Sequence, residues 1–184
     1  MDNPADRVYI SFHLALGREG REKAFTRIWR VYGKRIHYYI SRILPRDGSS
    51  PDDCFQEVMM KIYEGLGGYG PDRPLKPWVY RVARNCCIDF MKKRGDIPAD
   101  DIDTMPAARD RDPGEHFIRS ELSSAIDESI DALGAEDAQL AYLRFFEGMK
   151  FGEIARIMEM NENTVKTKIT AIKKKLRGDL REWL

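Results

Sequence analysis

The spacing of the apolar residues is the feature that most limits which fold this chain can adopt. Apolar residues recur with the period of an α-helix along most of the sequence. No stretch alternates strictly between apolar and polar residues beside Gly-rich hairpin turns, so β-strands are not expected. We therefore expect an all-α fold. Helices are predicted at about residues 5–17, 21–44, 51–66, 77–94, 117–132, 136–147, 151–159 and 162–182.

The segment between Gly95 and Glu115 interrupts this periodicity. It is rich in Pro, Asp and small residues, which cannot bury an apolar face. We therefore predict two helical domains, residues 1–95 and 116–184, joined by a flexible acidic linker over residues 96–115.

Composition and cysteine usage narrow the class of protein. A chain of 184 residues with 42% hydrophobic and 33% charged side chains is typical of a globular protein. No run approaches the roughly 20 apolar residues that span a bilayer, and the N-terminus lacks a signal-peptide pattern, so we expect a cytoplasmic protein without direct membrane insertion. Cys54, Cys86 and Cys87 are odd in number and two are adjacent, which favours buried thiols; a thiol switch is the minor alternative.

The net charge of +1 conceals a segregation of charge along the chain. Residues 1–95 hold 18 basic and 11 acidic side chains, residues 96–165 hold 6 and 17, and residues 166–184 hold 7 and 2. Two basic ends favour contact with a polyanion, although solvated helix faces alone could produce part of the pattern.

The C-terminal region carries the strongest motif. A short helix is predicted with one apolar stripe, formed by Phe151, Ile154, Ala155 and Met158. Asn161 can then cap a second helix, whose apolar stripe consists of Val165, Ile169, Ile172 and Leu176. Two helices this close predict a helix-turn-helix.

The opposite face of the second helix is predicted to enter a DNA major groove. Its groove-facing residues are Asn163, Thr167, Thr170, Ala171 and Lys174. Cations that could contact phosphates on both groove walls lie on its flanks: Lys166, Lys173 and Arg177 on one side, Lys168 and Lys175 on the other. The alternative, a solvated lysine-rich helix, does not explain this flanked arrangement.

The segment EIARIMEMNENTVKTKITAIKKKL resembles the DNA-binding end of bacterial sigma factors, which recognises the −35 promoter element. Thr164, Val165 and Lys166 match a triplet at the start of the family's recognition helix, so the resemblance adds Thr164 to the groove-facing set. The preceding segment LSSAIDESIDALGAEDAQLAYLRFFEGMKF resembles the family's preceding helices. Gly134 departs from the proline that many relatives carry.

The segment SPDDCFQEVMMKIYEGL resembles the sigma helix that binds core RNA polymerase. The resemblance implies that Phe55, Val58 and Ile62 point inward. It also implies that the polymerase-binding residues Asp53, Gln56, Glu57 and Lys61 point outward. Taken alone, the segment is better explained as an ordinary amphipathic surface helix.

The segment GGYGPDRPLKPWVYRVARNCCIDFMKKR resembles the family's −10 recognition and melting region. A helical wheel predicts a buried stripe of Val79, Ala83, Cys86 and Phe90, and an outward set of Arg81, Arg84, Asn85, Ile88 and Lys92 with Trp78 beside it. Such a mixture suits duplex opening, because cations hold the backbone while aromatic and amide groups receive unstacked bases. The loop from Gly67 to Lys76, with Tyr69, is a predicted pocket wall for a flipped base. Relatives often carry a second aromatic residue near Leu75 and a Thr or Ser near Pro77. This sequence departs from that pattern at both positions, which leaves the identity of the flipped base open.

The resemblance covers the chain from about residue 20, in the family's order, and implies a sigma-70 family member of the extracytoplasmic-function (ECF) type. The implied partners are the beta-prime clamp helices and beta flap of core RNA polymerase, promoter DNA and an anti-sigma factor. The linker residues Asp100, Asp101, Asp103, Asp110 and Asp112 could mimic RNA or form an inert spacer.

The main alternative is a different helix-turn-helix transcription regulator. An enzyme is not expected, because no phosphate loop or nucleophile motif occurs. Neither a cofactor nor a metal is expected, since His13, His37 and His116 lack metal-ligand spacing.

Overall fold

The computed structural model describes residues 4–44, 50–70, 72–95 and 121–181, and over these ranges its regular structure is helical, with no strand. None of the helices in those ranges is long and apolar enough to cross a membrane. The helices are α1 (Pro4–Leu14), α2 (Arg18–Ile43), α3 (Pro51–Gly65), α4 (Leu75–Arg94), α5 (Glu121–Asp131), α6 (Ala135–Ala141), α7 (Phe151–Met158) and α8 (Glu162–Asp179). A 3-10 turn (Leu66–Gly68) follows α3, and a π-helical turn (Tyr142–Phe146) continues α6. The predicted linker and its aspartates lie outside the described residues.

Local sequence signals set the ends of α3 and α4. The Ser50 hydroxyl accepts a hydrogen bond from the Asp53 amide at 3.2 Å, and Pro51 occupies the first helical position. Helix α4 begins at Leu75, two residues before the predicted start at Pro77. Pro77 is accommodated because it falls in the first turn, where its missing N–H has no intrahelical partner to lose. Gly95, with φ of 79°, ends the helix in the left-handed conformation.

Helices α1 to α4 form the N-terminal half, in which the long helix α2 contacts each of the others. Its core includes the fully buried Ile28, Ile36, Val58 and Val79. The approach of α1 to α2 requires glycine at position 20, because a Cβ there would lie 1.7 Å from the His13 carbonyl oxygen.

The three cysteines lie inside this half and are buried, as predicted. The Sγ atoms of Cys54 and Cys87 are 3.6 Å apart, within hydrogen-bonding distance for thiols. A hydrogen bond with Cys54, together with burial, raises the pKa of the Cys86 thiol well above its usual value. A protonated, buried thiol reacts slowly, which favours a packing role.

Helices α5 to α8 form the C-terminal half, and the two halves pack against each other. Helix α2 contacts α6, and α4 contacts α7, so the buried apolar residues of both halves form one continuous cluster. Hydrogen bonds cross the boundary from the Tyr39 hydroxyl to Gln139 Oε1 at 3.3 Å and from the Tyr142 hydroxyl to the Arg35 carbonyl oxygen at 3.1 Å. The sequence predicted two helical domains joined by a flexible linker, without contact between them. In this structure the two domains pack against each other.

Candidate nucleic-acid interface

Helices α7 and α8 form the predicted helix-turn-helix. The Lys150 amide donates to Glu153 Oε2 at 2.8 Å at the start of α7, and Glu159 ends α7 in the left-handed conformation with φ of 58°. Asn161 then caps α8, its Oδ1 accepting from the Asn163 amide at 2.8 Å. The predicted cap is therefore confirmed, and it fixes the direction in which α8 leaves the turn.

Helix α8 buries one face and exposes the other. Val165, Ile169 and Ile172 are buried against the rest of the C-terminal half. The exposed face carries Asn163, Thr164, Thr167, Thr170, Ala171 and Lys174. The Thr167 and Thr170 hydroxyls donate to helix carbonyl oxygens at 3.0 and 2.8 Å, which leaves their oxygens able to accept further hydrogen bonds. This face can be reached by a duplex, and base contact by these residues stays a prediction.

The two basic flanks of α8 differ. Lys173 and Arg177 are exposed, and Lys166 forms an exposed ion pair with Glu162 at 2.8 Å. On the other flank, Lys168 pairs with Glu136 at 2.5 Å and Lys175 donates to the Ala132 carbonyl oxygen at 3.0 Å. In this arrangement the first flank is the more available one for phosphate contact.

Helix α4 shows its predicted DNA face only in part. Arg81 and Asn85 are exposed, and Arg81 pairs with Glu159 at 3.3 Å. The prediction that Arg84 and Ile88 also point outward is wrong for this conformation, because they are only 6% and 7% exposed. The buried Arg84 Nε has no hydrogen-bond partner in the described parts of the chain.

The loop before α4 holds its aromatic residue in a packed pair. Tyr69 is buried, with its ring centroid 5.0 Å from that of the half-buried Trp78, and its hydroxyl donates to the Arg73 carbonyl oxygen at 2.5 Å. A Cβ at Gly65 would lie 3.0 Å from the Trp78 ring, so α3 also approaches this pair closely. Lys92, the last residue of the predicted melting set, is half-buried. A base that stacked on Tyr69 would first have to separate the two rings.

The predicted polymerase-binding face of α3 is accessible. Asp53 and Gln56 are exposed, and Val58 and Ile62 are buried as predicted. Phe55, also predicted inward, is half-buried.

Two residues of this face are linked to α4. Lys61 pairs with Asp89 at 2.9 Å, and this hydrogen bond raises the pKa of Lys61. Glu57 lies 3.5 Å from Lys93.

Two exposed apolar residues beside this face were missed from the sequence. Met60 lies on the same side of α3 as Gln56 and is 61% exposed. Trp29 on α2 is 48% exposed, with its ring centroid 5.3 Å from that of Phe55. The Trp29 and Phe55 rings line a groove of about 720 Å³ between α2 and α3. For Met60 the available signal was a large apolar side chain one helical turn from the outward Gln56 and Glu57. Trp29 has Phe25, Thr26, Tyr32 and Gly33 as its neighbours at helical spacing, so no such signal was present there.

Comparisons with known proteins place both halves in one family. The model for Sigma-70 region 2 matches residues 28–97, and the model for Sigma-70, region 4 matches residues 123–176. The chain is 28% identical over 179 residues to the RNA polymerase sigma-H factor of Pseudomonas aeruginosa, covering 90% of this chain and 92% of that protein. It is 28% identical over 163 residues to the ECF RNA polymerase sigma-E factor of Escherichia coli, covering 83% and 84%.

Solved structures show the same fold. CnrH in complex with the cytosolic domain of CnrY aligns with a TM-score of 0.63 at 18% identity, covering 97% of this chain and 98% of that one. The sigma factor RpoE of Bartonella quintana, in complex with the anti-sigma factor NepR, aligns with a TM-score of 0.61 at 18% identity, covering 86% and 98%.

The chain belongs to the sigma-70 family of RNA polymerase sigma factors and is of the ECF type. It is a promoter-directing factor of transcription initiation.

Proposed function

We propose that α8 reads the −35 duplex in the major groove and that α4, with the loop before it, holds the opened −10 strand. The polar face of α8, exposed and flanked by Lys166, Lys173 and Arg177, carries this proposal. Short polar side chains between phosphate-binding cations are what base readout requires. Run-off transcription with core polymerase on genomic fragments tests it. Tight binding of duplex DNA by the chain alone, without co-elution with core polymerase, would contradict these roles of α8 and α4.

The −10 assignment has a direct test at Asn85, which is exposed on α4. Replacing Asn85 with Ala should impair promoter opening more than initial binding, because a neutral amide can hydrogen-bond an unstacked base but adds no charge that attracts phosphates. Permanganate reactivity of the −10 thymines measures opening. Glu22→Ala, exposed on α2 and outside both proposed binding surfaces, is the control.

The polymerase-binding surface is proposed to combine Asp53, Gln56, Glu57 and Lys61 with the apolar Met60 and Trp29. Its partner would be the clamp helices of the beta-prime subunit, with the C-terminal half meeting the beta flap. Exposed apolar side chains within a polar rim are common anchors of binding energy. Met60→Ala should therefore weaken co-elution with core polymerase, whereas Glu22→Ala, exposed on α2, should not.

The solved neighbours support one further proposed partner, an anti-sigma factor. Both solved neighbours are complexes, one with the cytosolic domain of CnrY and one with the anti-sigma factor NepR. We propose that an anti-sigma factor likewise regulates this chain, in the cytoplasm, and that the chain acts by binding and has no catalytic step of its own. Co-purification of the tagged chain at its native level tests for this partner.

A further inference from the structure

Helix α1 is apolar on its outer face as well as on its inner one. The inner face is fixed to α2, because Ile10 is fully buried and the buried Asp6 forms an ion pair with α2 at 2.6 Å. The outer face nevertheless exposes Val8 and Phe12, which are 65% and 61% exposed, and Leu16 in the following turn is 55% exposed. A helix that is apolar all round is normally covered on every side. The outer face of α1 is therefore suited to contact with a second surface.

The exposed apolar side chains of α1 form one patch, the α1 stripe, which consists of Val8, Tyr9, Phe12 and Leu16. Val8 and Phe12 are about one helical turn apart, and Tyr9 beside them is 40% exposed. Over the described ranges eight large apolar side chains are exposed, and four of them belong to this stripe. Single exposed apolar residues are common on soluble proteins, whereas a contiguous patch marks an interaction site.

A cavity of about 640 Å³ adjoins the end of the α1 stripe, and two arginines line it. Gly17 and Arg18 follow Leu16 directly in the chain, and Arg21 lies one turn further along α2. The Arg21 guanidinium lies against the 3-10 turn, since a Cβ at Gly67 would be 3.2 Å from its Nη2 atom. Within the described parts of the chain neither arginine forms an ion pair. The cavity therefore offers two unpaired positive charges to an anionic group.

The size of the α1 stripe argues against a second copy of this chain as its partner. The exposed fractions of its four side chains amount to about 400 Å² of surface. Each partner of a stable protein interface contributes about 800 Å². Two copies joined through this stripe alone would therefore be held by about half of the usual contact.

The charges of α1 argue against a membrane surface. Within Pro4–Leu14 the one exposed side chain with a permanent positive charge is Arg7. Helices that lie on membranes carry many cations on the polar face. A protein helix with an apolar stripe of its own and a carboxylate near one end matches both the α1 stripe and the arginine cavity.

We propose that the α1 stripe and the cavity of Arg18 and Arg21 form a docking surface for an acidic amphipathic helix of another protein. The apolar side of that helix covers Val8, Phe12 and Leu16, and its carboxylate enters the cavity. This docking role is independent of the promoter and polymerase contacts proposed for α3, α4 and α8.

The test measures the binding of two labelled helical peptides to the full chain by fluorescence anisotropy. Both peptides have about 18 residues and one stripe of leucine. One carries glutamate at both ends, and the other carries glutamine there. Phe12→Gln should weaken the binding of both peptides about tenfold, because the burial of one aromatic side chain is lost. Arg21→Gln should weaken only the glutamate peptide, also about tenfold, because a charge-assisted hydrogen bond is lost.

Phe145→Gln is the matched control, since Phe145 is an exposed phenylalanine on the other half of the molecule, and it should bind both peptides like the wild type. Three results with the peptides would overturn the proposal: no binding of either peptide, an equal loss in the Phe145 variant, or equal affinity of the wild type for both peptides. Displacement of the glutamate peptide by single-stranded oligothymidine would also overturn it, because the cavity would then belong to the DNA strand.

The two other occupants have their own assays. A dimer by analytical ultracentrifugation that Phe12→Gln dissociates would assign the stripe to a second copy. Binding to phosphatidylglycerol vesicles that Phe12→Gln abolishes would assign it to a membrane. Either result would contradict the proposed docking of a partner helix. A photo-crosslinking residue in place of Phe12, irradiated in cells, then identifies the covering segment by mass spectrometry. A segment without helical apolar spacing and a carboxylate would refute the proposal.

Discussion

The two helices expected to contact DNA, α4 and α8, present their polar faces differently. The face of α8 is open, while that of α4 is partly covered by the other half of the molecule. Both faces were predicted outward from the same helical-wheel reasoning. The difference shows that a wheel identifies a polar face but does not say which polar face a second domain will cover.

The largest expected effect on stability is at the buried side of α8, and a substitution on its exposed side provides the comparison. Ile169→Ala should lower the free energy of unfolding by about 2 to 5 kcal/mol, because it leaves a cavity in the helix-turn-helix core. The neighbouring Thr170→Ala is exposed and should change stability by less than about 0.5 kcal/mol. Urea denaturation followed by circular dichroism measures both. Equal losses would mean that α8 is not oriented as described.

Alkaline pH should lower the free energy of unfolding through three buried tyrosines near the boundary between the two halves. Burial raises the pKa values of Tyr39, Tyr80 and Tyr142 above their ordinary value of 10.0. Their contribution to stability is therefore full below about pH 10 and is lost at higher pH, because the unfolded chain releases protons that the folded chain keeps. Each group can lower the free energy of unfolding by about 1.4 kcal/mol per pH unit in that range.

Denaturation curves between pH 7 and 11, with phenolate absorbance recorded alongside, test this. Helix α8 has no tyrosine, so it is free of this effect. Ionisation of all eight tyrosines near pH 10 without unfolding would contradict the burial of these three.

Local features of this fold could be predicted from the sequence, whereas the contacts between halves could not. The caps at Ser50 and Asn161 and the stripe of Val165, Ile169 and Ile172 depend on neighbours a few residues away, and the structure has them as predicted. Arg84 is buried on a helix that contacts α2, α3 and α7, so its burial depends on residues distant in the sequence. No periodicity carries that information.

The charge pattern held a signal that was interpreted too narrowly. The sequence analysis used only the basic ends, as a sign of polyanion contact, yet Asp127, Asp131 and Glu147 of the acidic middle bind cations of the N-terminal half. Complementary charge between two predicted domains is therefore a reason to expect contact between them.

The open face of α8 should give two distinguishable DNA-binding defects. Thr167→Ala should cost about 1 to 3 kcal/mol at one −35 position, because its hydroxyl is proposed to contact a base there. Lys166→Ala should weaken binding at all promoters and lower the slope of log affinity against log salt by about 0.9, because it removes one proposed phosphate contact. Holoenzyme binding to promoter fragments over a salt series measures both. Uniform loss by both variants would mean that the two faces of α8 are assigned wrongly.

The smallest expected effect on stability is at Arg81, which is exposed on α4 and pairs with Glu159 of the other half. Its pair with Glu159 is about half-exposed on each side, so Arg81→Ala should change the free energy of unfolding by less than about 0.5 kcal/mol. Promoter opening should nevertheless fall, since the same cation is proposed to hold the strand backbone once the halves part. Denaturation and permanganate footprinting on the same variant separate the two roles. A stability loss as large as that of Ile169→Ala would show that Arg81 holds the two halves together. It would contradict the assignment of Arg81 to the exposed part of the α4 face.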